Sequence, residues 1–367
     1  MSASRIPLRP ELQGIEPYGA PQIDVPVTLN VNENPYGPSE KIIADVTQEV
    51  AKTVGGLNRY PDRDFSALRA GLADFINHES AGSVTQNNIW AANGSNEVML
   101  HLFQAFGGPG RKAVTFTPSY SMYPEYARDT LTQWVTYPRG DNFEIDIDVA
   151  RRAISETQPS LVVVASPNNP TGTALPLATV KHLARAADEV ETGCLLVVDE
   201  AYAEFRREQT PSAVTLLDEF QNLVVTRTMS KAFALAGARL GYLAAGTEIV
   251  NALRVVRLPY HLSAVTQAVA STALRHSEEL LAHVAQLRTE RDDLVSWLTS
   301  QGYDVAPSDA NFVFFGSFPN RHEVWQGLLQ RGVLIRETGP DGWLRVSVGT
   351  PAEMSAFKNA LVEVTGE

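Results

Sequence analysis

Cysteine is almost absent from this chain. The single one among 367 residues, Cys194, cannot form an internal disulfide, and within Gly193-Cys194-Leu195-Leu196-Val197-Val198 it reads as a small apolar residue in a buried strand. Long hydrophobic runs are missing as well. No stretch approaches the roughly 18 apolar residues of a membrane span, and the opening Met1-Ser2-Ala3-Ser4-Arg5-Ile6-Pro7-Leu8-Arg9-Pro10 has no apolar core of secretory length. Positive charge is in deficit: 30 Lys and Arg face 42 Asp and Glu, for a formal net charge of −12. Broad nucleic-acid binding needs a basic face and is disfavoured, so any anion site must be basic locally. There is no internal repeat and no low-complexity tract. These absences lead us to expect a soluble cytoplasmic protein without nucleic-acid, membrane or metal partners.

What is present is an ordinary globular composition, 44% hydrophobic and 20% charged, in a chain long enough for one large and one smaller domain. Residues 1–35 are rich in proline and polar residues and read as an extended arm, which is usually held down by something. Ser39 can cap a helix over 40–52, and Phe65, Leu68, Leu72, Phe75 and Ile76 set a second helix. From residue 89 short apolar strands at 89–92, 113–116, 161–165, 195–198 and 223–225 alternate with helical segments near 95–106, 147–156 and 176–189. Near-continuous apolar strands separated by helices indicate an α/β fold, a mostly parallel sheet covered on both faces. A long helical region over 263–299 bridges to strand-like pieces at 311–315, 333–337 and 343–348 and a last helix from about 351.

In such sheets ligands gather beyond the carboxyl ends of the strands. The run 223–225 leads into Thr226-Arg227-Thr228-Met229-Ser230-Lys231, with Arg239 shortly after. A lysine can attack an aldehyde only when uncharged, and its ordinary pKa of about 10.4 must fall, as burial beside Arg239 would make it do. Thr228, Ser230 and Arg239 offer hydroxyls and a forked guanidinium to a dianion. A phosphorylated aldehyde beside a lysine describes pyridoxal 5′-phosphate, though a lone Ser-Lys is equally a solvated surface pair.

Other strand ends add to this. Gly94-Ser95-Asn96 turns a strand into a helix whose first N–H groups can hold a phosphate, or simply caps it. Tyr120 follows a strand where it could stack on a planar ring or pack. Asn169, in Ser166-Pro167-Asn168-Asn169-Pro170-Thr171-Gly172, offers an amide to a phenolate oxygen, and Tyr202 could reach the same atom. Asp199 closes a buried strand and needs a partner; a protonated pyridine nitrogen would be one. Arg345 lies in an alternating apolar strand, where an unpaired guanidinium is costly. Arg59-Tyr60-Pro61-Asp62 by itself reads as a surface turn.

Taken together, Asn32-Glu33-Asn34-Pro35, Arg59-Tyr60-Pro61-Asp62, Gly94-Ser95-Asn96-Glu97, Ser166 to Gly172, Asp199-Glu200-Ala201-Tyr202, Ser230-Lys231 and Leu344-Arg345 resemble the fold-type I pyridoxal-phosphate aminotransferases, and within them the histidinol-phosphate aminotransferase family. The resemblance spans almost the whole chain. It implies a large cofactor-binding domain over 65–274, a smaller α+β domain from 36–64 and 275–367, and an arm over 1–35. It implies that Lys231 binds the cofactor covalently and then acts as the base, that Asp199 pairs with the ring nitrogen, and that Asn169 and Tyr202 meet the phenolic oxygen. Tyr120 would stack on the ring. Gly94, Ser95 and Asn96, with Thr228 or Ser230 and Arg239, would hold the phosphate, joined by Tyr60 from the second subunit of a homodimer.

The same resemblance makes Arg345, helped by Arg336, the anchor for the anionic end of histidinol phosphate or glutamate, whose amino group passes to or from 2-oxoglutarate. Tyr18, Asn32 and Tyr260 would complete the substrate site, the arm at Tyr18 closing over it. An aromatic amino-acid aminotransferase shares every cofactor residue and is the nearest alternative. Asn32 to Pro35 and Pro259-Tyr260-His261-Leu262-Ser263 look more like the histidine branch. A phosphothreonine-type decarboxylase uses the same scaffold, and a regulator built on it would need a basic helix-turn-helix segment that this sequence does not carry before its arm.

Overall fold

The computed structural model describes residues 6–366; the first five residues of the expected arm lie outside them. After a 3₁₀ turn at Pro10–Leu12 the chain runs without regular structure to Val27–Thr28 (β1), then forms Glu40–Val54 (α1) and Ser66–Ser80 (α2). Ser39 starts α1, its hydroxyl accepting from the Ile42 amide at 3.3 Å and so satisfying one of the free N–H groups of the first turn.

Strands and helices then alternate: Ile89–Ala92 (β2), Ser95–Phe106 (α3), Lys112–Thr117 (β3), Tyr123–Asp129 (α4), Gln133–Pro138 (β4), Ile147–Thr157 (α5), Leu161–Ala165 (β5), Leu177–Asp188 (α6), Leu195–Asp199 (β6), Leu223–Thr228 (β7) and Gly241–Ala245 (β8). The seven strands from β2 to β8 make one sheet in the order β2-β8-β7-β6-β5-β3-β4. All run parallel except β8, which opposes both its neighbours. The centre of the sheet is apolar on both faces because helices cover both, and every residue of β5 and β7 is buried. The edge strand β4 is partly exposed along its length.

The chain continues through Thr247–Val256 (α7), Ala264–Arg275 (α8) and Ser277–Ser300 (α9). The single helix expected over 263–299 therefore breaks at His276, whose imidazole bonds Asp45 of α1 at 2.8 Å. The break has a packing cause. It lets α8 lie along α1 and α2 while α9 crosses over, placing Leu280 in the first core and Val284, Leu287, Leu294 and Leu298 in a second.

That second core belongs to a smaller α+β unit: Asp304–Val305 (β9), Phe312–Gly316 (β10), Arg321–Gln330 (α10), Val333–Leu334 (β11), Arg336–Glu337 (β12), Trp343–Ser347 (β13) and Pro351–Thr365 (α11). Four strands pair antiparallel in the order β12-β13-β10-β9. The piece expected over 333–337 parts at Ile335: β12 joins this sheet, whereas β11 takes β1 as a parallel partner, Val27 opposite Val333 and Thr28 opposite Leu334. Leu29 sits in the second core beside Val333, Ile335 and Val348, so the arm is stitched to the smaller unit. By contrast α1, assigned above to that unit, packs along α8 and contributes Ile42 to the first core. Among the described residues no helix is long and apolar enough to cross a membrane.

Candidate active site

The parallel strands of the large sheet all end at one edge, and the polar residues picked out of the sequence stand on the turns leaving them. Because β8 runs the other way, Arg239, just before it, arrives at the same edge. These turns and the arm line a cavity of about 280 Å³, with Lys231, Asp199, Arg345, Tyr120, Asn169 and Tyr202 on its walls.

Lys231 follows β7, and its Nζ donates to the Val31 carbonyl of the arm at 2.8 Å. Burial lowers its pKa to about 8; Arg345 and Arg239 push the same way and Glu33 opposes them. With a pKa of about 8, about one amine in eleven is uncharged at pH 7. Asp199 is buried, and burial raises its pKa above the ordinary carboxylate value. Three donors work against that shift, Tyr123 OH to Oδ2 at 2.8 Å, Thr226 Oγ1 to Oδ1 at 3.0 Å and the Ala201 backbone N–H. A cationic ring nitrogen would complete the set.

Arg345 projects from β13 and is held by two acceptors. Its Nη1 donates to Asn169 Oδ1 at 2.6 Å and its Nη2 to the Asn30 carbonyl at 2.7 Å, while Nε has no partner among the described residues. Burial, then the nearby Arg336, lowers its pKa to about 10, so it remains a cation at neutral pH. Arg336 lines the same cavity.

The cradle expected to seat an anion is built largely from backbone. Gly94 has φ +87°, and a Cβ there would stand 2.5 Å from Arg239 Nη2, so the guanidinium lies against the bare chain at the start of α3. Ser95 and Asn96 open that helix, with the unpaired N–H groups of a helix start. Thr228 Oγ1 donates to Ser230 Oγ at 3.0 Å and accepts from the Ser230 amide at 3.1 Å. Gly241 keeps β8 pressed on this cradle, since its Cβ would run into the backbone of Gly94 and Ser95.

On the opposite face of β7 lies an ion cluster. Arg227, wholly buried, donates to Glu200 (3.0 and 2.8 Å), Glu79 (2.8 Å) and Glu204 (3.3 Å). Arg206 also binds Glu79, at 2.9 Å. Three carboxylates thus share two guanidiniums. Burial raises Glu204 to about 7; Arg227 opposes this and Glu79 adds to it, and the second oxygen of Glu204 has no partner among the described residues.

Of the residues singled out in the sequence, Tyr18, Asn32, Ser95, Asn96, Tyr120, Asn169, Asp199, Tyr202, Thr228, Ser230, Lys231, Arg239, Arg336 and Arg345 line the cavity. Gly94 does not line it but stands against Arg239, which does. Tyr60 and Tyr260 do not line it. Their rings stack on each other at 4.4 Å with 79% and 39% of their surface exposed. Sequence reasoning passed over Tyr123 and Thr226 as the residues that hold Asp199. The Thr226 signal was available, since parallel pairing of two adjacent apolar runs sets it opposite Asp199.

Residues 25–361 match the family described as aminotransferase class I and II. The chain is 58% identical over 365 residues to the histidinol-phosphate aminotransferase of Thermobifida fusca (strain YX), covering 100% of this chain and 97% of that protein. It is 51% identical over 374 residues to that of Bifidobacterium longum (strain NCC 2705), covering 98% and 97%. The fold is similar to a crystal structure of histidinol-phosphate aminotransferase from Sinorhizobium meliloti in complex with pyridoxal-5′-phosphate, with TM-score 0.85, 25% identity and coverage of 99% and 98%. It is also similar to an aspartate aminotransferase of Thermus thermophilus, tetra mutant 1, with TM-score 0.82, 26% identity and coverage of 98% of each chain.

Proposed function

Because the chain belongs to the class I and II aminotransferases, we propose that it interconverts L-histidinol phosphate and 2-oxoglutarate with imidazole acetol phosphate and L-glutamate, a reversible step of histidine biosynthesis. One observation carries this reading: a buried amine of lowered pKa, Lys231, shares a cavity with a buried carboxylate and an anion-binding arginine. The full-length relatives named for the same donor support the choice of substrate.

The residues fit pyridoxal 5′-phosphate. The bare backbone at Gly94 under Arg239 suits a phosphate ester, and Asp199, raised by burial and served by two hydroxyls and the Ala201 backbone N–H, all of them neutral, suits a protonated ring nitrogen. When bound, this group supplies an aldehyde that exchanges one amine for another and a ring that takes up the electron pair of the breaking Cα–H bond. Lys231 Nζ would hold the aldehyde and, when free of it, would accept the proton leaving the substrate Cα. Asp199 would keep the ring cationic, Asn169 and Tyr202 would serve the phenolic oxygen, and Tyr120 would cover the ring. Arg345, with Arg336, takes the phosphate of one donor or the α-carboxylate of the other, since a guanidinium fork accepts both. Tyr18, whose hydroxyl bonds Ser121 at 2.8 Å, excludes water from the mouth.

A homodimer with shared sites is part of the reading. Leu57, Tyr60, Leu258 and Tyr260 are exposed on two loops joined by the stacked tyrosines, an apolar face suited to a second copy that receives Tyr60. Residues 65–274 would carry the cofactor, 275–367 would close on the substrate, and the enzyme would work in the cytoplasm. The test is turnover by purified holoprotein of histidinol phosphate with 2-oxoglutarate against phenylalanine with the same acceptor. Histidinol phosphate should be preferred. Preference for phenylalanine would make it an aromatic aminotransferase instead.

A further inference from the structure

The Tyr202 hydroxyl is met by two side-chain amides: Asn32 Nδ2 donates to it at 3.0 Å and Asn169 Nδ2 at 3.5 Å. Each amide is held from behind so that its nitrogen faces the phenol. Arg345 donates to Asn169 Oδ1, and Ser347 Oγ donates to Asn32 Oδ1 at 2.9 Å. The Ser347 oxygen also accepts from the Asn32 backbone N–H at 2.9 Å, and its one hydrogen is donated to Oδ1. Arg345 and Ser347 stand two apart on β13 and therefore on one face. All five residues are buried.

A phenol has one hydrogen to donate. If the Asn32 amide turned over, its oxygen would face Tyr202 and take that hydrogen. We propose that Ser347 is a positioning residue that sets the direction of the Tyr202 proton: through Asn32 it keeps an N–H donor on the phenol oxygen, leaving the phenolic hydrogen to point into the cavity. Arg345 does the same through Asn169, so the side chain that binds the substrate anion and the serine beside it on β13 jointly orient one donor. Burial holds the Tyr202 hydroxyl protonated, its pKa raised above the ordinary phenol value. The proposal rests on the reading above that Tyr202 serves the cofactor's phenolic oxygen.

The test uses holoenzyme and needs no turnover. It reads the pH midpoint at which the visible absorbance of the bound cofactor changes. A hydrogen bond donated to a negatively charged oxygen favours the deprotonated chromophore, so losing it should raise the midpoint by about one pH unit. Tyr202→Phe gives the reference shift. Ser347→Ala should move the midpoint upward by no more than that, and Ser347→Ala combined with Tyr202→Phe should match Tyr202→Phe alone, because the serine acts only through the phenol. An unchanged or lowered midpoint in Ser347→Ala, or shifts that add in the double variant, would overturn the proposal. A wild-type midpoint in Tyr202→Phe would overturn the placement of Tyr202 and the proposal with it, whereas failure to turn over histidinol phosphate with these shifts intact would strike only the choice of substrate.

Discussion

Lys231 should be the most reactive lysine in the cofactor-free protein near neutral pH, and the margin can be worked out. An ordinary lysine at 10.5 is about 0.03% uncharged at pH 7, whereas one at about 8 is about 9% uncharged, a gain of about 300-fold. Between pH 7 and 9 its labelling should rise about tenfold and level off, while a surface lysine rises about 100-fold and keeps climbing. Trace acetylation with acetic anhydride from pH 6 to 11, resolved peptide by peptide in a mass spectrometer, measures this directly. Neighbouring charges give the sign of two further shifts. Arg345→Gln removes a cation that lowers the pKa, so the midpoint should rise; Glu33→Gln removes an anion that raises it, so the midpoint should fall. Burial is the largest cause, so neither variant should reach 10.5. A wild-type midpoint at or above 10, or two variants that move the same way, would refute the account of how the amine is made reactive.

Arg345→Ala should cut kcat/KM for both amino donors at least tenfold with the cofactor still bound, because each charge-assisted hydrogen bond is worth about 1.5–3 kcal/mol; steady-state kinetics with each donor checks it. Gly94→Ala should weaken cofactor binding at least tenfold by lost phosphate contacts of that same order, since the added methyl displaces the Arg239 guanidinium; titration of cofactor-free protein followed in the visible reads the loss. Glu204→Gln should stabilise the fold in a pH-dependent way. A carboxyl raised from 4.5 to about 7 on folding loses its stabilising contribution as pH climbs between those values. The gain from glutamine should therefore grow from near zero at pH 4 to roughly 1–3 kcal/mol at pH 8, measured by urea unfolding. Equal effects at both pH values would contradict the shared-charge account.

Much of this arrangement was legible in the sequence because the site hangs on strands that announce themselves. β5, β6 and β7 are continuous apolar runs, and a fully covered parallel sheet must read that way. Chemistry placed just past such runs, as at Asn169, Asp199 and Lys231, is therefore easy to find. β4 was missed because an edge strand with Gln133, Thr136 and Pro138 carries no such run. The break at His276 was hidden because α8 and α9 together keep a helical period, and only the demand of two separate cores divides them. Tyr123 could not be paired with Asp199 in advance, since they stand 76 positions apart in the chain and are brought together only by tertiary structure. The role of Ser347 depends on which way two amides point, and no pattern of residue types encodes that.

β7 carries chemistry of opposite character on its two sides, with Thr226 and Thr228 toward Asp199 and the cradle, and Arg227 toward three glutamates. Because side chains alternate along a strand, an insertion or slip of one residue would exchange the two sets. A guanidinium would then be driven at the cofactor's ring while hydroxyls faced a cluster of bare carboxylates. The hidden arginine thus works as an alignment pin: a misthreaded chain cannot settle, and the alignment that does settle is the one that delivers Lys231 to its place.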